Sequence, residues 1–172
     1  MAEEIVNRIA SSALHQIDLE HYYPKEEIVT FDLKPYLFME LILKEKDFRE
    51  KMQQLNWSEY TGKIVAVTCS SDAVIPMWAY MLITVNLQPF ASDIVYGTAE
   101  DALKQRYLKN LGEIEIDQFR DQRVVVKGCG DLPIGEYAYL EITKRLRPVV
   151  KSIMYGEPCS TVPIFKAKAK SE

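Results

Sequence analysis

Short apolar runs are the clearest pattern along the chain, and they predict strands. Ile64–Val67 and Val124–Val126 are rich in β-branched residues, as in strands that are buried on both faces. Asp93–Tyr96 and Ser152–Tyr155 have a similar character, and each is followed by a glycine. Glu27–Leu33 alternates between polar and apolar residues, which indicates a further strand.

Between these runs lie segments in which apolar residues recur with the spacing of an α-helix. The spacing i, i+3, i+4 and i+7 predicts an amphipathic helix whose apolar stripe is formed by Trp78, Met81, Leu82 and Val85. Thr98–Leu111 is predicted to be a helix with Thr98 as its N-cap, and Glu45–Leu55 and Glu3–Ala10 are predicted to be two more. Because strands alternate with helices, we predict the α/β class, with a mainly parallel sheet and helices on both faces.

The second half of the chain contains an internal repeat. Trp78–Gly97 and Tyr137–Gly156 are identical at nine of 20 positions at an offset of 59 residues, where chance gives about one. Ile64–Cys69 matches Val124–Cys129 at an offset of 60, so one residue is dropped between the two matches. Each copy reads as strand, helix and strand. The repeat predicts a duplicated βαβ unit, over 64–97 and 124–156, within a single domain over 1–172.

Length and charge narrow the classes of protein. The 172 residues suit one domain, and a net charge of −4 gives no general attraction to nucleic acid or to an anionic membrane. Met1–Ala10 lacks the apolar core of a secretory signal peptide, and prolines and amides interrupt the apolar stretch Ala73–Ser92. We therefore predict a cytoplasmic protein without a membrane span, with residues 166–172 as a flexible polar tail.

Familiar catalytic motifs are absent from the sequence. It contains no GxxxxGK[ST] phosphate loop, no GxGxxG fingerprint, no CxxC pair, no HExxH and no GxSxG. These absences lower the expectation of an NTPase, a dehydrogenase, a thioredoxin, a metalloprotease or an α/β-hydrolase. Neither histidine, His15 or His21, lies in the repeated half.

Three cysteines follow the predicted strands. Cys69 and Cys129 come after the first strand of each copy, and Cys159 comes after the last strand. In a parallel sheet these positions lie at the carboxyl edge, where open α/β folds hold their ligands. The odd number of thiols argues against a disulfide framework. If the two copies pack side by side, we expect the three thiols to converge.

Three interpretations of these thiols stay open. They can be small core residues, because free cysteine is among the most buried residue types. They can hold zinc or an iron–sulfur cluster, with a fourth ligand from Asp72, Asp131, Glu157 or water. Cys129 can be a reactive nucleophile, because Lys127 and a following helix start lower the pKa of a thiol.

Further polar groups are expected at the same edge. Asp72 and Asp131 align in the repeat and precede the two predicted helices, which suits an N-cap, a ligand or a general base. The backbone amides of Ser70, Gly130 and Ser160 are predicted to bind a ligand such as an anion beside the thiols. Cys129 and Asp131 are the candidate catalytic residues.

Several strings of the sequence resemble one family. They are similar to the bacterial family known as domain of unknown function 2480, over Glu4–Arg8, Asp18–Pro24, Leu41–Arg49, Val67–Leu82, Val126–Cys129 and Lys151–Pro163. The string YGEPCSTVP at Tyr155–Pro163 is the most specific. The resemblance covers nearly the whole chain and implies a single-domain bacterial protein, with no established activity attached to it.

Two functions of different classes follow. The first is a ligand or metal site formed by the three cysteines, which binds a small molecule or an anion and leaves open whether the protein is an enzyme. The second is a non-enzymatic structural or interaction module with buried cysteines, which forms a homodimer through Met77, Trp78 and Met81. Measurements of the metal content of the protein and of the reactivity of its thiols in the native state distinguish these two functions.

Overall fold

A computed structural model describes residues 14–128, 130–157 and 159–168. The predicted helix Glu3–Ala10 and the residue Cys129 lie outside this part of the chain. The chain divides into two compact units, which we name by their place in the sequence. The middle unit is Pro24–Arg106, and the terminal unit combines Met1–Tyr23 with Tyr107–Glu172. One domain over the whole chain stays a prediction.

Strands and helices alternate along the described residues. In chain order the strands are β1 Leu14–Asp18, β2 Ile28–Asp32, β3 Ile64–Thr68, β4 Asp93–Tyr96, β5 Arg123–Lys127, β6 Ser152–Glu157 and β7 Ser160–Lys166. The α-helices are α1 Glu45–Gln54, α2 Met77–Leu87, α3 Ala99–Gly112 and α4 Glu136–Leu146. The predicted α/β class with mainly parallel strands is confirmed, although the strands form two sheets. β1 and β7 are not among the predicted strands.

The middle unit is a parallel sheet with helices on both faces. Its strand order is β2-β3-β4, and β3 is buried from Ile64 to Val67. Side chains alternate between the two faces of a strand. Val65 and Val67 pack in one core cluster with α1 and α2, whereas Ile64 and Ala66 pack in another with Ala102 of α3. The continuous β-branched run at Ile64–Val67 therefore reflects a strand that is covered twice.

The terminal unit has the strand order β1-β5-β6-β7, in which only β7 runs antiparallel to its neighbour. Val124 and Val126 of β5 pack in its core with Ile142 of α4 and Tyr107 of α3. Tyr107 is fully buried, and its hydroxyl donates a hydrogen bond to the carbonyl oxygen of Leu19 at 2.6 Å. This bond ties α3 to the chain segment that follows β1.

The strand pair β3–β4 of the middle unit and the strand pair β5–β6 of the terminal unit have the same register. Val67 of β3 pairs with Tyr96 of β4, and Val126 of β5 pairs with Tyr155 of β6, so each position recurs 59 residues later. The bounds of α2 and α4 are related by the same displacement. Both segments are β–α–β units with parallel strands. Their origin by duplication stays a prediction.

The turns before β3 and β5 are also alike. Gly62 donates its amide to the carbonyl oxygen of Phe90 at 3.0 Å, and Asp121 donates its amide to that of Val149 at 3.0 Å. Gly62 and Asp121 both adopt positive φ angles, of 74° and 58°. The likeness of the two units therefore begins before the predicted repeat does.

An Asp-Leu pair ends the first strand of each sheet. Asp18 Oδ1 accepts the amide of Glu20 at 3.1 Å, and Asp32 Oδ1 accepts the amide of Lys34 at 3.0 Å. The leucine that follows each aspartate is fully buried. This pair is a sequence signal for β1 that the apolar runs alone do not provide.

The strand register changes the alignment of the cysteines. Cys69 lies two residues after Val67, and the residue two positions after Val126 is Gly128. The predicted offset of 60 between these strands is wrong, because β3 and β5 are related by 59 residues. Cys129 itself lies outside the described residues, and its equivalence to Cys69 stays a prediction.

α2 buries a different face from the predicted one. Ala79, Ile83 and Leu87 are fully buried in the core of the middle unit, whereas Met81 and Val85 are 67% and 70% exposed. The predicted apolar stripe is therefore wrong at Met81 and Val85, whereas Trp78 and Leu82 are half-buried and pack against this core. α2 carries no charged residue, so its hydrophobic period does not distinguish the inward face from the outward face.

Candidate functional site

A cluster of ion pairs surrounds Lys127 at the carboxyl end of β5. Its Nζ lies 3.1 Å from Asp18 Oδ2 and 3.9 Å from Glu157 Oε1. The hydrogen bond with Asp18 is the main cause that raises the pKa of Lys127, and the negative charges of Glu157 and Glu20 add to it. Because these carboxylates already balance its charge, Lys127 is a weaker activator of a neighbouring thiol than the sequence predicts.

Glu20 occupies the same edge of the terminal sheet. Its Oε1 accepts the amide of Leu132 at 3.3 Å. Its carboxylate packs so closely on Gly130 that a Cβ atom at that position would overlap it. The overlapping atoms lie at the end of a flexible side chain that can move aside, and the ligand-binding role of Gly130 stays a prediction.

Asp32 closes the corresponding edge of the middle sheet. Its Oδ1 accepts the amide of Ser70 at 3.0 Å, and its Oδ2 accepts the Ser70 hydroxyl at 2.5 Å. Burial raises the pKa of Asp32, but these hydrogen bonds, the Lys34 amide and the Lys34 charge outweigh it and hold the pKa below its usual value. Ser70, predicted to bind a ligand, thus donates its amide and its hydroxyl to Asp32.

We expect replacement of Asp32 with asparagine to lower the free energy of unfolding at pH 7 by about 1–2 kcal/mol, because a charged acceptor of hydrogen bonds is lost. The pKa of Asp32 is lowered in the folded protein, so its contribution is present above the usual value of 3.8 and disappears as the pH falls through the lowered value. Urea unfolding of both proteins, at neutral and at acidic pH, measures this difference.

The matched control for this prediction is Asp72→Asn, because Asp72 is exposed and lies in the same loop as Ser70. We expect this variant to unfold like the unmodified protein. A deficit of Asp32→Asn that persists unchanged in acid would contradict the assignment of the stabilisation to the Asp32 carboxylate.

The two described cysteines lie in different units. Cys69 is half-buried in the middle unit, with its Sγ 3.6 Å from the carbonyl oxygen of Ser71. Cys159 is exposed in the turn between β6 and β7 of the terminal unit. The prediction that both lie at one edge of one sheet is wrong, because β3, which precedes Cys69, and β6, which precedes Cys159, belong to separate sheets. The prediction of a buried structural cysteine is also wrong for Cys159.

The expected metal centre at Cys69, Cys129 and Cys159 is unsupported. Over residues 14–128, 130–157 and 159–168, no group of three histidine, cysteine or carboxylate side chains is placed to hold a metal ion. Zinc and iron–sulfur ligation therefore have no site in this part of the chain.

The remaining predicted site residues are exposed. They are Asp72, Asp131 and Ser160. Neither aspartate is an N-cap, because Pro76 holds that position before α2 and Gly135 holds it before α4. A role of these three residues in binding or catalysis stays a prediction, as does the pairing of Asp131 with Cys129.

The terminal unit contains an apolar cavity of about 320 Å³, which we name the tyrosine pocket. Its walls come from β5, α4, β6 and β7, and the lining residues are Val126, Tyr139, Thr143, Ile153, Met154, Tyr155 and Ile164. The rings of Tyr139 and Tyr155 meet edge to face, with their centroids 5.7 Å apart. The Tyr139 hydroxyl donates to the carbonyl oxygen of Gly128 at 3.0 Å, which fixes this ring.

β7 distinguishes this pocket from the corresponding place in the middle unit. There, Tyr80 and Tyr96 form the same edge-to-face pair at 5.6 Å. β4 is an edge strand of its sheet, whereas β6 is followed by β7, which supplies Ile164 to the pocket wall. The pocket is not predicted from the sequence, because β7, which forms one of its walls, is not among the predicted strands. The repeated Ala-Tyr and Tyr-Gly pairs are the only sequence signal for the two tyrosines.

These features define an α/β protein with two mainly parallel sheets and an apolar pocket at the strand ends of one of them. The chain belongs to the family described as protein of unknown function DUF2480, whose model matches residues 3–167. The resemblance seen in the sequence is thereby confirmed. No curated protein and no solved structure matches the chain. Within the described residues, no helix has the length and apolar character that a membrane span needs.

Proposed function

We propose that the protein binds a small, largely apolar molecule in the tyrosine pocket. The observation that carries this proposal is the cavity itself, whose volume of about 320 Å³ lies within the range of roughly 300–1,000 Å³ found for ligand pockets. The proposal concerns binding and assigns no reaction. The proposed site lies at the ends of strands, as the sequence predicts. Its walls are aromatic and aliphatic side chains, whereas the sequence predicts a site formed by cysteines.

The chemistry of the walls favours an aromatic or branched aliphatic group. Ile153, Met154 and Ile164 present aliphatic carbon and a polarisable sulfur, and the two tyrosine rings can contact an aromatic ring by an edge or a face. Among the described lining residues, none is charged. A free inorganic anion is therefore a poor ligand, and the polar atoms of a bound molecule belong at the open side.

The position of the pocket matches the usual place of ligands in this fold class. Val126 and Tyr155 form the last paired position between β5 and β6, so the pocket lies at the carboxyl ends of parallel strands. Cys159 lies in the turn that follows β6, and Ser160 is the first residue of β7. A ligand in the pocket would have its polar end near this turn.

The pocket is largely preformed. The Tyr139 ring is held by its hydrogen bond to Gly128 and by the edge-to-face contact with Tyr155. Ordered walls reduce the entropy that is lost when a ligand binds. Weak binding of small fragments is therefore sufficient to test the site.

We expect indole to bind the full chain with a Kd of ~0.1–1 mM, as a small apolar fragment does in a preformed pocket. The measurement is a titration followed by ¹H–¹⁵N correlation spectra. Saturable shifts should appear in α4, β6 and β7. Indole-5-sulfonate, which has the same ring with a charge, should bind at least about ten times more weakly because its charge loses hydration.

Two tryptophan substitutions on β7 form a matched pair for this titration. Ile164 lines the pocket and Val162 does not, although their exposed fractions are similar at 53% and 57%. Ile164→Trp should weaken indole binding at least about ten-fold by filling the cavity, while Val162→Trp should change it less than about two-fold. Equal effects of the two substitutions, or binding that neither changes, would argue against the pocket as the site.

A further inference from the structure

A second cavity, of about 430 Å³, opens on the terminal sheet, and we name it the cationic cleft. Of its described lining residues, three are cations and none is a carboxylate. Within the part of the chain that the structure describes, none of these cations has an ion-pair partner. The chain as a whole is acidic, with a net charge of −4, so its composition does not explain an uncompensated group of cations. The lining residues are Arg123, Lys151, Ser152, Met154, Pro163, Phe165 and Lys166.

The strand register places two of these cations on either side of one serine. Arg123 of β5 pairs with Ser152 of β6, and Ser152 pairs with Lys166 of β7. Paired residues point to the same face of a sheet, and neighbouring strands are about 4.8 Å apart. The Cα atoms of Arg123 and Lys166 are therefore about 10 Å apart. Both side chains are long enough to reach an anion above Ser152, whose hydroxyl can donate a hydrogen bond to it.

Backbone hydrogen bonds fix the floor of the cationic cleft. The carbonyl oxygen of Gln122 accepts the amides of Lys151 and Ser152, at 2.8 and 3.3 Å. The carbonyl oxygen of Lys151 accepts the amide of Ala167 at 2.9 Å. The strand ends that carry the cations are therefore ordered before a ligand arrives, which limits the entropy lost on binding to that of side chains and ligand.

The middle unit shows that the fold does not require cations at this place. Ile64, 59 residues before Arg123, is fully buried and packs with Ala102 of α3. The chain forms α3 after β4, but it forms β7 after β6. Arg123 is exposed where its counterpart is covered by a helix. The positive charge is therefore a property of this cleft and not of the repeated β–α–β segment.

Protection of a sheet edge does not account for these cations. Lysines on edge strands prevent pairing with other chains, and Lys166 lies on the edge strand β7. Arg123, however, lies on β5, which has β1 and β6 as neighbours on its two sides. A charge at that position does not guard an edge, and the binding of an anion provides a reason for it.

We propose that the cationic cleft binds a small organic diphosphate, such as a nucleoside diphosphate. Such a ligand carries about three negative charges at neutral pH, which the three cations balance. Arginine and lysine form short, charge-assisted hydrogen bonds with phosphate oxygens. The volume of about 430 Å³ lies within the range of roughly 300–1,000 Å³ found for ligand pockets.

The apolar part of the cleft accommodates the organic group of the ligand. Met154, Pro163 and Phe165 present carbon and a polarisable sulfur beside the cations. Arg147 lies over the Phe165 ring, with its Cζ 3.9 Å from the ring centroid, which holds the ring in place. An organic diphosphate therefore makes contacts in the cleft that an inorganic anion does not make.

The cationic cleft is a different site from the tyrosine pocket. It lies where β5 and β6 begin, whereas the tyrosine pocket lies where the two strands end, at Val126 and Tyr155. Of the described residues, Met154 alone lines both cavities. The proposal therefore does not rest on ligand binding in the tyrosine pocket.

Isothermal titration calorimetry of the full chain with ADP, without added divalent cations, tests the proposal. In about 100 mM NaCl, which screens the charges only in part, we expect a Kd of ~10–100 μM. Adenosine should bind at least about 30 times more weakly because it lacks the phosphates, and inorganic pyrophosphate at least about three times more weakly because it lacks the organic group. The absence of ADP binding, or equal affinities of ADP and either of the other two compounds, would overturn the proposal.

Two glutamine substitutions form a matched pair for this titration. Arg123→Gln removes a cation of the cleft and should weaken ADP binding at least about ten-fold, and Lys166→Gln should act likewise from the other side of Ser152. Lys46→Gln makes the same change in net charge at an exposed position of α1 and should alter the Kd less than about two-fold. Equal effects of Arg123→Gln and Lys46→Gln would show that ADP responds to overall charge and would refute the cleft as its site.

¹H–¹⁵N correlation spectra with ADP locate the binding site. Saturable shifts should appear at residues 122–124, 151–153 and 165–167, and the same shifts should appear when indole is present. ADP that competes with indole would lie in the tyrosine pocket, which contradicts the proposal. Binding of single-stranded RNA by a chain that does not bind ADP would also contradict it, because the ligand would then be a polymer.

Discussion

Replacement of Tyr107 with alanine is expected to lower the free energy of unfolding by about 4 kcal/mol, as for other buried aromatic residues. Tyr107 is fully buried in the terminal unit, where its ring contacts Tyr23 and Tyr137 edge to face at 5.5 and 6.0 Å. Alanine would leave a cavity and would also leave the carbonyl oxygen of Leu19 without the hydrogen bond from Tyr107. Chemical denaturation followed by circular dichroism measures the loss.

Two further substitutions divide this loss into its parts. Tyr107→Phe keeps the ring and should cost about 1–2 kcal/mol, which is the contribution of the buried hydroxyl. Tyr96→Ala removes a tyrosine that is 74% exposed and should cost no more than about 1 kcal/mol. If Tyr107→Ala were no more costly than Tyr96→Ala, the described core of the terminal unit would be wrong.

Replacement of Gly156 with alanine is expected to cost about 3 kcal/mol and to abolish fragment binding in the tyrosine pocket. Gly156 has a φ of 116°, a conformation that other residues rarely adopt. A Cβ atom there would lie 2.6 Å from the backbone carbonyl oxygen of Ser160 on β7. To relieve this contact, β7 must move away from β6, and Ile164 would leave the pocket wall.

Gly112→Ala provides the control for this substitution. Gly112 is the last residue of α3, and a Cβ atom at that position meets nothing within 4 Å. Alanine there should be neutral or stabilising by up to about 1 kcal/mol, since it is the better helix former. Unfolding free energies and the indole titration should be measured on both variants. Retention of indole binding by Gly156→Ala at full affinity would show that the β6–β7 pairing does not form the pocket.

The repeated β–α–β segments could be predicted because their strands are buried on both faces. Such strands appear in the sequence as continuous runs of β-branched residues, as at Ile64–Val67. β1 and β7 have no such run, because both are edge strands of their sheet. β7 also contains Pro163, which is compatible with an edge strand but interrupts the pattern that predicts one.

The location of the candidate site could be predicted from the sequence, but the residues that form it could not. The carboxyl ends of parallel strands follow from the alternation of strands and helices, whereas the division into two sheets does not. The sequence therefore predicts that Cys69 and Cys159 lie close together in space. In the structure they belong to different units. The tyrosine pocket draws its residues from four elements that meet only through strand order and the β6–β7 turn.

The face of α2 shows a second limit of periodicity. Every side of this helix is uncharged, so the amphipathic pattern carries no information about which side is buried. The comparison with α4 supplies that information, because its charged outward positions mark the solvent side by the 59-residue equivalence. An internal repeat can thus assign a helix face where the helix itself cannot.

The most direct test of the proposed binding function is a crystal structure of the protein with 5-bromoindole, in which anomalous scattering locates the bromine. The proposal predicts one bromine position inside the tyrosine pocket, in contact with Tyr139, Tyr155 and Ile164. Bromine bound only elsewhere, or a pocket that stays without bromine at saturating fragment, would contradict the assignment of this pocket as the ligand site.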